Sequence, residues 1–233
     1  YILNSDAFPK PDAIRVLYDH LNTTPETGFA GSFIMGEDDV QHTTTFRFPS
    51  ILGEFEGSVG FGPVSKLLKS YRVPRELSQT AQVDWLAGAS VMMRQSVLDE
   101  IGLFDEAFFL YFEETDLCRR AQKAGYRVMF MADSIVVHLG SVSTGMKEWT
   151  RVPDYWFASR WYYLTKNHGR IYAACATALH LIGGGLNWLR CKLTGKHYGR
   201  APHFLRTLAV HDFAALFKSQ RELPAKVRPQ IGE

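Results

Sequence analysis

Apolar residues recur along the chain with two spacings, and each spacing predicts one kind of element. Ala13, Val16, Leu17 and Leu21 recur at the spacing of a helix with one buried face. Short apolar runs bounded by turn residues predict buried strands instead. The predicted strands cover residues 1–3, 28–35, 83–93, 126–131 and 135–137, and the predicted helices cover residues 12–21, 97–101 and 117–124.

Two stretches depart from these patterns. Residues 40–82 follow neither spacing, so we expect a long loop that contains a short basic helix near residues 64–71 and lies over the sheet. Beyond residue 150 the chain becomes aromatic and basic, and residues 171–193 are strongly apolar. We therefore predict one domain over residues 1–168 and a helical, basic tail over residues 169–233.

Length and charge exclude some classes of protein. A chain of 233 residues is long enough for one large domain, or for a domain with an appendage. A formal net charge of +2 gives no support to a nucleic-acid-binding protein, so nucleic acid is not an expected partner. Three cysteines without metal-type spacing favour the reducing cytoplasm over a disulfide framework. Because the chain opens on an apolar strand without an initiating Met, we expect an amino-terminal part to be absent.

The candidate chemistry concentrates in residues 108–143. An aromatic run leads into Glu113, Glu114 and Asp116, and a helix and two strands then lead to His138. These carboxylates and the imidazole fall at the ends of predicted elements, where side chains project into clefts. Two adjacent acids also raise the chance of a shifted pKa, because like charges disfavour joint ionisation.

Asp6 follows the first predicted strand. A carboxylate just past a buried strand is a common ligand contact in open α/β sheets. It is equally typical of a residue that caps the following turn. The residues alone leave both interpretations open.

The apolar segment 171–193 also leaves two interpretations open. It is long enough to span a bilayer but contains His180, Asn187 and three consecutive glycines. A helix that lies on a membrane face, or one that packs on a partner, fits better than a spanning helix. The last 40 residues are basic and suit an anionic membrane surface, whereas a tail packed on its own domain fits equally well.

Seven short motifs match the pattern of one enzyme family. They are LNSD at 3–6, RFP at 47–49, DWLAGA at 84–89, IGLFDE at 101–106, EETDLCRR at 113–120, AGY at 124–126, and His138 followed by GS at 140–141. With them the chain resembles the nucleotide-sugar-dependent family 2 glycosyltransferases, in particular their bacterial rhamnosyltransferase-like branch. The resemblance covers residues 1 to about 170.

The resemblance implies a fold and an activity. The fold is an α/β, GT-A-type mixed sheet flanked by helices, here without most of the nucleotide-binding half and with a helical carboxy-terminal extension. The activity is inverting transfer of rhamnose or a related hexose from a nucleotide diphosphate donor to a glycan or lipid-linked acceptor in cell-surface polysaccharide synthesis. The expected location is the cytoplasm, peripheral on the inner face of the plasma membrane. Transfer of another sugar, or a catalytically silent glycan-binding or membrane-anchoring fragment, are the alternatives.

The resemblance also implies a metal site. Asp6 ends a motif similar to the family's Asp-X-Asp, with Asn4 at the first position, and His138 matches a histidine that completes the metal shell in some relatives. The implied cofactor is a divalent ion, Mg²⁺ or Mn²⁺, that bridges the two donor phosphates. A histidine satisfied at a strand end is the alternative for His138.

The catalytic base is implied by the same comparison. Glu114 matches the family's base, which is commonly Asp, and Glu113 is the rival because adjacent side chains point in different directions. A base near the acceptor hydroxyl removes its proton during a single displacement. Asp116 is placed either at the acceptor or as a helix cap.

The remaining implied contacts concern the donor and the acceptor. Asp84, Trp85, Gly88 and Ala89 match the strand that shapes the sugar pocket, although a core tryptophan is the commoner outcome. Arg160 lies where relatives often place a cation near the diphosphate, which a planar guanidinium suits. A surface arginine is its alternative.

Overall fold

The computed structural model describes residues 1–139 and 151–218. Gly140 and Ser141 of the family motifs, and Arg221, Lys226 and Arg228 of the predicted basic tail, lie outside these residues. In chain order the strands are β1 (Ile2–Leu3), β2 (Ala7–Pro9), β3 (Thr27–Met35), β4 (Thr45–Phe46), β5 (Pro74–Arg75), β6 (Ala81–Gln82), β7 (Trp85–Leu86), β8 (Ser90–Met93) and β9 (Arg127–His138). The helices are α1 (Ala13–Thr23), α2 (Ile51–Val59), α3 (Gly62–Leu67), α4 (Gln95–Ile101), α5 (Glu113–Lys123), α6 (Asp154–His168), α7 (Arg170–Thr194) and α8 (Phe204–Phe217), with a 3₁₀ turn at Lys69–Tyr71.

The described residues group into two compact units. Among the described residues, the sheet unit is drawn from residues 1–48, 73–104 and 113–139. The helical unit is drawn from residues 49–72, 105–112 and 151–218. The domain boundary at residue 168 stays a prediction.

The sheet unit is built on a mixed sheet of six strands. Its order is β1-β8-β3-β9-β2, and β6 also pairs with β9. β3 and β9 run parallel, and the other pairs are antiparallel. A second, three-stranded sheet has the order β5-β4-β7. A mixed sheet flanked by helices, followed by a helical carboxy-terminal part, is the architecture predicted from the sequence, and it is confirmed.

The prediction of two strands at residues 126–131 and 135–137 was wrong in one respect, because β9 is continuous. Its pairing with β3 shifts between Ser32↔Met131 and Phe33↔Ile135, so the intervening residues bulge from the ladder. The bulge turns Ser134 inward, where its hydroxyl donates to the Ala13 carbonyl and contacts the Ser32 hydroxyl. Of the two polar residues that suggested a break between strands, Ser134 is therefore a buried hydrogen-bonding group, whereas Asp133 is exposed.

Residues 40–82 are more ordered than predicted. They contain β4–β6 and the nine-residue helix α2, which the sequence pattern missed. Ser50 caps α2 by accepting a hydrogen bond from Gly53 N, which is a recognisable start signal. The predicted basic helix near residues 64–71 corresponds to α3 and the 3₁₀ turn. The predicted strand 83–93 is divided into β7 and β8, and the helix expected from residue 117 begins at Glu113.

Close contacts position the strands that carry the candidate site. Phe29, Leu86, Val91 and Phe130 belong to the core of the sheet unit. A Cβ on Gly31 of β3 would lie 2.7 Å from a Leu86 methyl carbon. Any residue other than glycine at this position would therefore force the Leu86 side chain to move. The predicted buried stripe of α1 is also present, since Ala13, Leu17 and Leu21 are all buried.

The helical unit packs α2, α6, α7 and α8 together. The consecutive glycines of α7 allow close helix contacts, because a Cβ on Gly183 would lie 2.2 Å from Ser58 Oγ of α2 and one on Gly184 would lie 2.6 Å from a Leu205 methyl carbon of α8. Among the helices in the described residues, none combines the length and apolar character that a bilayer crossing requires.

Candidate functional site

The polar cluster of the sheet unit contains Asn4, Asp6 and His138. β2 pairs with the end of β9, with Ala7 opposite His138, and Leu139 N donates to the Asp6 carbonyl at 3.1 Å. This pairing places His138 Nε2 3.1 Å from Asp6 Oδ1 and 3.3 Å from Asn4 Nδ2. The His138 and Asp6 side chains are only 15% and 11% exposed. Residues more than 130 positions apart are therefore joined at one point by strand pairing.

The cluster has donor atoms that suit a cation. The second carboxylate oxygen of Asp6, Oδ2, is buried and has no hydrogen-bond partner among the described residues. The described residues contain no group of three His, Cys, Asp or Glu side chains that would hold a metal alone. Mg²⁺ in phosphate-transfer sites is commonly held by one or two carboxylates and takes its other ligands from substrate phosphates and water. The Asp6 carboxylate fits such a partial site, with His138 beside it.

His42 lies beside this cluster and was missed by sequence reasoning. Its ring meets the His138 ring edge to face, with 6.4 Å between centroids. The backbone of His42 is held by its N–H, which donates to the Ile34 carbonyl of β3. A single histidine in an unpatterned stretch carries no signal that would have identified it.

A short path of backbone contacts connects the cluster to the acidic pair. Asn4 N donates to the Ala89 carbonyl at 3.0 Å, and Gly88 N donates to Glu114 Oε1 at 3.3 Å. A Cβ on Gly88 would lie 2.9 Å from Glu114 Oε1, so the small residue permits this close approach. The structure thus brings together Asn4, Asp6, His138, Gly88–Ala89 and Glu114.

The two adjacent glutamates differ in their hydrogen bonding. Burial, and then the charge of Glu114, raise the pKa of Glu113 to about 8, and its buried Oε2 has no partner among the described residues. Burial also raises the pKa of Glu114, but backbone N–H groups of Glu114 itself and of Gly88 oppose that rise. A backbone N–H group lowers the pKa of Glu113 as well, but only one does so, and the charge of Glu114 raises the pKa of Glu113 further. We therefore assign the carboxylate to Glu114 and the proton to Glu113.

The backbone before the acidic pair is strained. Tyr111 and Phe112 have φ of 68° and 69°, in the left-handed region that non-glycine residues rarely adopt. Each such residue costs on the order of 1–3 kcal/mol, and strain of this kind clusters at functional sites. It sets the direction in which the chain enters α5, whose first turn contains Glu113 and Glu114.

Asp84 and Trp85 contact protein groups. Asp84 Oδ2 accepts a hydrogen bond from Phe48 N at 2.8 Å. The Trp85 ring stacks on Phe46 with 4.1 Å between centroids, and its Nε1 donates to the Arg47 carbonyl. These contacts hold residues 46–48 against β7, and the role of Asp84 and Trp85 in a sugar pocket stays a prediction.

Asp116 is buried and ion-paired. Its Oδ2 lies 2.9 Å from Arg120 Nε, one turn further along α5. Arg120 also donates to the carbonyls of Ile101, Gly102 and Leu103 at the end of α4. Asp116 therefore orients an arginine that satisfies the carboxyl end of α4, and its roles at the acceptor or as a helix cap stay predictions.

Arg160 lies in the interior of the helical unit. Its guanidinium pairs with Glu54 of α2 at 3.0 Å and with Asp212 of α8 at 2.9 Å, and its side chain is 1% exposed. Thr177 and His180 of α7 bond to the same two carboxylates. These partners hold Nε and Nη1, while the buried Nη2 has no hydrogen-bond partner among the described residues. Because the side chain is buried and paired with acids, we do not assign it to the donor diphosphate.

Comparison with known proteins identifies a family. The sequence profile of the family described as Glycosyl transferase family group 2 matches residues 1–215. An N-acetylglucosaminyl-diphospho-decaprenol L-rhamnosyltransferase of Mycobacterium tuberculosis is 30% identical over 146 residues, which are 62% of this chain and 48% of that protein.

Two further relatives extend the comparison. The rhamnosyltransferase WbbL of Escherichia coli K12 is 30% identical over 137 residues, covering 58% of this chain and 50% of its own length. The low-salt glycan biosynthesis hexosyltransferase Agl10 of Haloferax volcanii is 24% identical over 127 residues, covering 54% and 38%. The chain spans about half the length of the rhamnosyltransferases it matches.

Proposed function

Because the chain belongs to glycosyl transferase family group 2 and is similar to two rhamnosyltransferases, we propose that this protein transfers a sugar from a nucleotide diphosphate donor to an acceptor. The donor sugar is rhamnose or a related hexose, and the acceptor is a glycan or a lipid-linked glycan of the cell surface. One observation supports the proposal most: the connected arrangement of Asp6, His138 and Glu114, joined through Asn4, Ala89 and Gly88.

Asp6 and His138 hold the diphosphate end of the donor. With Asn4 beside them they would bind Mg²⁺ or Mn²⁺, which neutralises charge on the departing diphosphate. The unpartnered Asp6 Oδ2 would supply one donor atom. His138 Nε2 would supply a second only as the nitrogen without a hydrogen, in place of its present contact with Asp6 Oδ1. The backbone pairing of β2 with β9 keeps both side chains in place before the donor binds.

Glu114 acts as the general base of an inverting transfer. Its carboxylate takes the proton of the acceptor hydroxyl while that oxygen forms a bond to the anomeric carbon and the bond from that carbon to the diphosphate breaks. A carboxylate with a raised pKa is a stronger base near neutral pH. Glu113 keeps its proton at neutral pH, so only one negative charge stands at this position.

Sugar transfer by the full-length protein tests the proposal. A panel of nucleotide diphosphate sugars, with product anomers assigned by NMR, identifies the donor and shows whether the configuration inverts. Asp6→Ala should weaken donor binding measured by calorimetry in Mg²⁺ or Mn²⁺, and should leave the residual binding in chelator unchanged. Asp133→Ala, which removes an exposed carboxylate from the same strand as His138, is the matched control. The proposal would be contradicted if the affinity for the donor were the same with and without the metal, and the same in wild type and Asp6→Ala.

A further inference from the structure

The polarity of α7 is the reverse of that of an ordinary surface helix. Its exposed positions from residue 171 to residue 189 are all apolar. They are Ile171, Cys175, Ala178, Ile182, Leu186, Trp188 and Leu189. The polar residues Thr177 and His180 are buried instead, against Asp212 and Glu54. A surface helix in water normally shows the opposite arrangement.

α8 has the same reversed polarity. Val210, Phe213 and Phe217 are 64%, 69% and 73% exposed, and the rings of Phe213 and Phe217 contact each other. Asp212, the one acidic residue of α8, is buried and pairs with Arg160. Two neighbouring helices thus direct their charged partners inward and their large apolar side chains outward.

The exposed residues of α7 and α8 form one face. A groove of about 420 Å³ is lined by Ala174 and Ala178 of α7 and by Val210 and Phe213 of α8. The helices are antiparallel, since Arg170 at the start of α7 donates to the Leu216 and Lys218 carbonyls at the end of α8. We call the exposed apolar residues of both helices the α7–α8 face. A contiguous apolar surface of this kind marks a protein or membrane interaction site.

The charge around this face has a single sign. Residues 155–211 contain no aspartate or glutamate and eight lysines or arginines, although the whole chain has a net charge of only +2. Six of the eight form no ion pair with any described residue: Arg170, Arg190, Lys192, Lys196, Arg200 and Arg206. The Lys192 ammonium lies over the exposed Trp188 ring at 5.3 Å, beside the apolar stripe.

We propose that the α7–α8 face docks on an anionic phospholipid bilayer, with both helices parallel to the membrane plane. Helices with an apolar face bordered by cations bind in this way, and the cations meet lipid phosphates. A second copy of the chain fits less well, because a two-fold contact would bring the same uncompensated cations together from both copies. The inference deepens the proposed function, because a lipid-linked acceptor is presented at a membrane surface.

Vesicle flotation tests the docking without donor or acceptor. We expect the protein to bind vesicles of phosphatidylcholine with about a quarter phosphatidylglycerol, and to bind much less to phosphatidylcholine alone. Leu186→Gln with Leu189→Gln should reduce binding at least tenfold. Lys192→Gln with Lys196→Gln should reduce it about fivefold per lysine at low salt, and less at high salt. Leu67→Gln changes an 81% exposed leucine of α3 that lies outside the face, and should have no effect.

The outcomes separate this inference from the proposed function. Equal vesicle binding by wild type and by both double variants would overturn the docking. The docking would also be overturned if neither wild type nor the leucine variant bound vesicles, while light scattering showed a dimeric wild type and a monomeric leucine variant. In that case the face would be a contact between two copies of the chain. Because the substituted side chains are exposed, unchanged circular dichroism should accompany both variants. Glu114→Gln should bind vesicles like wild type while it fails to transfer sugar, and the face variants should still transfer to a water-soluble acceptor.

Discussion

Removing the Arg160 guanidinium should destabilise the helical unit strongly. Arg160 joins α6 to Glu54 of α2 and to Asp212 of α8, and both contacts are buried. Arg160→Met keeps much of the side-chain length but leaves two carboxylates without their cation. Breaking one partner out of a buried ion pair typically costs about 3–5 kcal/mol, because an uncompensated buried charge remains.

The pKa of Glu54 gives an independent estimate of that cost. Burial alone would raise this pKa, but Arg160 and His180 lower it from 4.5 to about 2. At about 1.4 kcal/mol per unit, this shift corresponds to about 3 kcal/mol of stability. Since the folded pKa is depressed, the stabilisation is complete above pH 4.5 and is lost as the pH falls through about 2. Arg160→Met should lack most of this acid-dependent loss.

Urea unfolding followed by tryptophan fluorescence measures both effects. We expect Arg160→Met to lower the free energy of unfolding by about 3–5 kcal/mol at neutral pH. Arg151→Met is the matched control, because Arg151 pairs with Asp154 at 3.4 Å in a position where both side chains are mostly exposed. Exposed pairs contribute about 0–1 kcal/mol. A loss below about 1 kcal/mol in Arg160→Met would refute the conclusion that this network holds the four helices together.

Two further predictions concern the acidic pair. In Gly88→Ala the new Cβ would lie only 2.9 Å from Glu114 Oε1, so the carboxylate has to move. We expect kcat to fall about 10- to 100-fold, because the base is displaced from the acceptor. The melting temperature and the KM for the donor should stay nearly unchanged. An unchanged kcat would mean that the position of Glu114 is not critical. Glu113→Gln mimics the protonated form of Glu113. Because the folded protein holds this proton more tightly than the unfolded chain does, the protonated acid stabilises the fold fully below pH 4.5. This stabilisation is lost as the pH rises through about 8. Thermal unfolding should therefore show the variant roughly 2–4 kcal/mol more stable than wild type above pH 8 and equal to it below pH 4.5, and equal stability at both would contradict the burial of Glu113.

The spacing of apolar residues predicted the elements whose structure depends mainly on residues close in sequence. The buried stripe of α1 and the apolar run of β3 follow directly from their periods. Helix α2 was missed because its residues include Gly53 and Gly57 and its apolar positions follow no clear stripe, although Ser50 gave a start signal. The β9 bulge was missed because Ser134 is polar, and its burial depends on hydrogen bonds to distant residues.

The candidate site was predictable from the motif resemblance and not from spacing. Asp6 and His138 meet because β2 pairs with β9, a contact that no local pattern contains. The same limit explains Arg160, which looks like an anion-binding arginine in sequence but is paired with acids 106 and 52 positions away. Charges buried by tertiary pairing cannot be told from solvent-facing charges by residue type alone.

The transfer rate and donor affinity of Glu114→Gln, measured together on the full-length protein, test the proposed centre most directly. Loss of a general base lowers transfer by about 100-fold or more, whereas donor binding at Asp6 and His138 should stay within about twofold of wild type. Glu113→Gln is the internal control and should keep most of its activity at neutral pH. Wild-type-like transfer by Glu114→Gln, or a loss seen only in Glu113→Gln, would contradict the assignment of the base.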